Sequence, residues 1–119
     1  MIGYLADIVV ALVAISHLGF LALEMFLWEK PVGLRVFRQT AERAAITRVL
    51  AANQGLYNGF LAAGLFWGLM PGAGGSAIKT FFLTCVIVAG IFGAATVSRR
   101  ILWIQAAPAA IGLLLVLLS

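Results

Sequence analysis

Between Ile8 and Trp28 the chain runs for 21 residues with a single formal charge, Glu24, and a single imidazole, His17. At ~1.5 Å rise per residue a helix over this stretch is about 31 Å long, matching the ~30 Å hydrocarbon core of a bilayer. In lipid the backbone must satisfy its own polar groups, so such a stretch is constrained to be a helix. Trp28 stands where an interfacial aromatic belongs, Lys30 follows as an anchor, and Pro31 closes the segment.

Three more apolar stretches follow. The pattern predicts helices over about 3–28, 44–69, 77–97 and 101–118, with Pro71-Gly72-Ala73-Gly74-Gly75 as the breaker after the second. Pro108 falls inside the last and is expected to kink it, as neighbouring helices allow in a membrane. The chain is 64% hydrophobic and 10% charged, with a mean hydropathy of +1.13, against about 45–50% and ~25% in soluble domains. An all-α, polytopic four-helix transmembrane bundle is expected, one domain over 1–119. The N-terminus has neither the basic region nor the small-residue cleavage site of a secretory signal, so the first span is expected to remain in place. Cys85 is the sole cysteine; it can form no internal disulfide, and its apolar setting suggests a packed thiol.

Loop charge sets the expected orientation. Lys30, Arg35, Arg38, Arg43 and Arg48 flank the first connection and Arg99 and Arg100 the third, while the second offers only Lys79. Basic loops stay in the cytoplasm, which puts both termini outside a bacterial inner membrane. The net charge of +4 is therefore a topology signal, and no nucleic-acid partner is expected. In the basic cytoplasmic loop 29–43, Val32, Leu34, Val36 and Phe37 alternate with the charges. That pattern fits a short interfacial helix on anionic headgroups, or a solvated loop.

Polar groups inside such spans are expensive and face the bundle interior. Counted from the cytoplasmic ends of two antiparallel helices, Glu24 falls level with Asn53 and Gln54, and His17 with Tyr57 and Asn58. Gln105 in the last helix lies at the level of Glu24. His17 and Glu24, seven apart, share a face; Asn53 with Tyr57 and Gln54 with Asn58 are i,i+4 pairs on adjoining stripes. These seven residues are the candidate ligand-binding set. The cluster has three readings: interhelical hydrogen bonding alone, a site for a small hydrophobic or lipid-like molecule, or a proton site in a small proton-coupled transporter. An intramembrane isomerase using His17 and Glu24 as acid and base is a further alternative, resting on residue types alone. His17 and Glu24 are too few ligands for a metal, and no cofactor is expected. Small residues at Gly55, Gly59 and Ala63, and at Gly90 and Ala94, let backbones approach closely, within the bundle or in a homo-oligomer.

Glu24-Met25-Phe26-x-Trp28-x-x-Pro31 followed by Ala51-Ala52-Asn53-Gln54-Gly55-Leu56-Tyr57-Asn58-Gly59-Phe60 resembles the small bacterial membrane proteins grouped as domain-of-unknown-function family 1304. The resemblance covers nearly the whole chain. It implies a four-helix membrane protein and supplies no established reaction. Some members bear an epimerase label, but this chain has no Gly-rich phosphate loop, strand-helix alternation or acidic ribose partner to match it.

Overall fold

A computed structural model describes residues 1–119. The protein is all-helical, with α1 over Ile2–Met25, α2 over Pro31–Phe37, α3 over Ala41–Leu69, α4 over Gly75–Thr96, a π-helical turn over Leu102–Ala106, and α5 over Ala107–Leu118. It forms two compact units, Ser16–Phe60 and Met1–Ile15 with Leu61–Ser119.

Five α-helices replace the four expected. The extra one, α2, lies inside the basic segment. Pro31 opens it, since proline at the first helical position has its φ preset and no N–H to waste. Arg38 closes it in the left-handed region at φ 51°, donating its backbone N–H to the Arg35 carbonyl. Helix α1 also stops three residues short of Trp28. Both Phe26 and Leu27 donate to the Ala22 carbonyl, and Lys30 donates to Leu27, so the chain turns there. Gly33 packs beneath this turn; a Cβ on it would meet the carbonyl oxygen of Trp28 at 2.8 Å and the carbonyl carbon of Leu27 at 2.9 Å. No side chain larger than hydrogen fits there.

Pro108 does not kink a continuous α-helix. A proline here has no N–H for the Ile104 carbonyl and its ring would crowd that carbonyl. The backbone answers by widening into the π turn just before it, where Ala107 N–H bonds the Leu102 carbonyl instead.

The larger unit is built around Ala6, Val10, Val13, Ala14, Leu65, Leu83, Val86, Ala109 and Val116, drawn from α1, α3, α4 and α5. Glycines set its closest approaches. A Cβ on Gly90 would lie 2.7 Å from the backbone nitrogen of Ala106, and one on Gly112 would meet Val9 and Leu83 at 3.3 and 3.4 Å. Lys79, its side chain 15% exposed, bonds Asp7 at 2.9 Å.

Helices α1 and α4 are long and apolar enough to cross a membrane, yet their most apolar 18-residue windows are only 28% and 17% buried within the protein. Leu5, Ile8, Leu12 and Ile15 on α1, and Val88, Ile91 and Phe92 on α4, all face outward. The core helix of a water-soluble domain would hide such a surface; here apolar side chains clothe the outside.

Candidate functional site

The smaller unit, Ser16–Phe60, holds the polar cluster. The end of α1 lies antiparallel to the middle of α3. A Cβ on Gly59 would strike Leu21, while one on Gly55 would meet Met25 Cγ at 2.6 Å and Glu24 Cβ at 3.2 Å, so ascending residues on one helix meet descending ones on the other. These two glycines draw the helices close and are covered within the chain. Of the two roles open to this spacing, packing within the chain is met at Gly55 and Gly59, as it is at Gly90; Ala63 is exposed and Ala94 partly covered.

Close approach leaves Glu24 3% exposed. Its two oxygens are held separately. Asn58 Nδ2 donates to Oε1 at 2.5 Å, and Gln54 Nε2 donates to Oε2 at 2.7 Å. Asn58 is buried at 9% exposure, whereas Gln54 lies on the exposed flank of α3 and forms the cluster's outer edge. No lysine or arginine pairs with the carboxyl group; Lys79 pairs with Asp7, and Arg48 with Glu29 in a loose, exposed contact at 3.8 Å. An ionised carboxylate offers about four acceptor sites, so two amide donors leave it unsaturated.

Of the seven candidate residues, the structure brings together Glu24, Gln54 and Asn58. Asn53 and Tyr57 are exposed, the latter at 62% with its ring against Phe60. The reason is angular. Around the cluster α3 buries Ala51, Gly55 and Asn58. At ~100° per residue Gln54 falls roughly 65° from that line, Tyr57 roughly 125° and Asn53 roughly 165°. The expected facing of both i,i+4 stripes is thus corrected to one, the Gln54–Asn58 stripe. His17 is fully buried, its ring 5.1 Å from that of Phe20 in an edge-on contact. With Tyr57 turned outward, the expected pairing of those two side chains is replaced by the Phe20 contact. Gln105 lies in the π turn of the other unit, half-buried.

Trp28 was legible only as a belt residue, and the structure gives it a second task. Its indole N–H donates to the Ala44 carbonyl at 3.1 Å and to Thr47 Oγ1 at 3.2 Å, and its ring lies 4.7 Å from that of Phe37. It ties the end of α1 to both α2 and α3. No grouping of His, Cys, Asp and Glu suited to a metal ion occurs. The cleft of about 590 Å³ beside Thr80, Phe81, Thr84 and Val116, and one of about 300 Å³ beside Tyr4, Asp7 and Lys79, belong to the larger unit and include none of the cluster.

No solved structure matches the chain. The uncharacterized protein YpaA of Lactococcus lactis subsp. lactis (strain IL1403) is 27% identical to it over 106 residues, covering 87% of this chain and 88% of that protein. A family model described as "Protein of unknown function (DUF1304)" matches residues 11–117. With that match running over nearly its whole length, the chain belongs to the DUF1304 family.

Proposed function

We propose that the protein is a four-pass membrane protein of the bacterial cytoplasmic membrane whose Glu24 cluster binds the polar head of a small amphiphile. The membrane part rests on the apolar exteriors of α1 and α4. Helix lengths extend it to the remaining two. At ~1.5 Å per residue the 29 residues of α3 reach about 43 Å and the stretch Leu102–Leu118 about 25 Å. The first exceeds the ~30 Å core; the second nearly spans it, and snorkelling Arg99 and Arg100 at its start close the gap. The basic connections then lie in the cytoplasm and both termini outside.

The observation that carries the binding reading is the Glu24 carboxyl group, buried, held by two amide donors and facing no lysine or arginine. Its unfilled acceptor sites suit an N–H or O–H donor on the ligand head, and the exposed flank at Gln54 gives the direction of entry. Asn58 and Gln54 fix the carboxyl orientation, so the donor need not reorganise it. The lack of a lysine or arginine partner also favours a second reading, in which Glu24 carries a proton in a small transporter. An acid–base pair of His17 and Glu24 is less well supported. Seven residues separate them by about 10 Å along one helix face, and the carboxyl group bonds amides.

Native mass spectrometry of protein extracted in mild detergent tests the proposal. Wild type should retain a discrete small molecule that Glu24→Gln loses. An apo mass for both, with the variant folded, would reject binding and leave Glu24 as interhelical hydrogen bonding.

A further inference from the structure

We propose that the basic turn between α1 and α3 is a binding site for the phosphate group of anionic phospholipids. It goes beyond the amphiphile site at Glu24, and it rests on the membrane reading alone.

The turn is a built structure. Trp28 holds Ala44 and Thr47 of α3 by its indole N–H and packs its ring, tilted, against that of Phe37 in α2. Gly33 seats α2 directly on the carbonyls that end α1. Thr40 Oγ1 accepts the Arg43 backbone N–H at 3.2 Å and so caps the start of α3. These contacts gather the segment at the end of the apolar run of α1. They also turn every basic side chain outward: Lys30, Arg35, Arg38, Arg43 and Arg48 are all exposed, against two acids, Glu29 and Glu42. Only Arg48 has an acidic partner, and that contact is loose. Arg35 and Arg38 stand either side of Val36 and Phe37, giving cations beside apolar groups, the combination an acyl chain with a phosphate head requires. The same turn holds an unmatched donor, since Gln39 Nε2 is buried with no acceptor. A phosphate oxygen at the turn would offer that amide one after a side-chain rotation. Guanidinium groups suit phosphate because their planar donors can bind it bidentately.

Trp28 is the reporter. With Trp67 and Trp103, both exposed, replaced by phenylalanine, its fluorescence is read in phosphatidylcholine vesicles containing brominated phosphatidylglycerol or brominated phosphatidylcholine. The brominated anionic lipid should quench more strongly, with an apparent preference of about fivefold or more. The triple variant Arg35→Gln, Arg38→Asn, Arg43→Gln should quench equally with both lipids; asparagine is chosen at position 38 because it tolerates the left-handed backbone there. Glu24→Gln should keep the preference, which separates this site from the amphiphile site. Equal quenching in wild type, or a preference surviving the triple variant, would overturn the proposal. So would loss of the preference on adding inorganic phosphate, which would make free phosphate the ligand. Quenching by neither lipid would instead remove the membrane reading itself.

Discussion

Replacing Asn58 by leucine keeps the branching and heavy-atom count of the side chain and removes the donor to Glu24 Oε1. The pair is among the most buried polar contacts of the chain, with Glu24 3% and Asn58 9% exposed. In a soluble core, stripping a donor from a buried carboxyl group costs about 1.5–3 kcal/mol. Between helices in lipid the average falls to ~0.6 kcal/mol with a maximum near ~1.7, because the helices of the unfolded state also find partners there. A short contact between two buried side chains belongs at the upper end, so the coupling between Glu24 and Asn58 is expected at about 1.5 kcal/mol. A double-mutant cycle isolates it: Glu24→Leu, Asn58→Leu and both together, each unfolded reversibly by SDS in mixed micelles and followed by far-ultraviolet circular dichroism. The same cycle with Gln54, on the exposed flank, should give no more than ~0.5 kcal/mol. A Glu24–Asn58 coupling below ~0.3 kcal/mol, the level at which independent sites simply add, would refute the reasoning.

Asn53→Leu, by contrast, should leave that unfolding midpoint unchanged or raise it, because the exposed amide makes no hydrogen bond; a loss as large as that of Asn58→Leu would place it in the cluster after all. Gly90→Ala should destabilise by about 1–3 kcal/mol in the same titration, since the new Cβ meets the backbone of Ala106, which cannot rotate aside. Trp28→Phe keeps the ring and deletes the indole donor, so it should cost about 1 kcal/mol and speed trypsin cleavage after Arg35, Arg38 and Arg43; cleavage at the wild-type rate would mean the turn does not depend on that bond.

Long apolar stretches and the breaker at Pro71–Gly75 made the helical class and the approximate helix positions readable, because sustained length and composition are the strongest signals a sequence carries. Finer features were hidden for identifiable reasons. Helix α2 is seven residues long, too short to show a period, and its start depends on Gly33 fitting beneath the end of α1, a contact known only once the chain has folded. The end of α1 was obscured because Trp28 suits a membrane interface as well as it suits a tertiary hydrogen bond. Depth along two antiparallel helices assigns levels but not angles. It set Glu24 level with Asn53 and Gln54, whereas the bonds run to Gln54 and Asn58, one turn apart on one stripe. The amphipathic contrast that normally separates inside from outside is missing in a helix apolar nearly all round, and two asparagines five residues apart look alike until the buried line through Ala51, Gly55 and Asn58 distinguishes them.

The passage of α3 and its amides through the bilayer is the central feature, and a pair of topology reporters tests it directly. Green fluorescent protein and alkaline phosphatase are fused in parallel after Gln39, Gly74, Ser98 and Ser119 in a bacterial host. Fluorescence after Gln39 and Ser98, with phosphatase activity after Gly74 and Ser119, is the expected result. Fluorescence at all four positions would contradict it, leaving Glu24 outside any membrane.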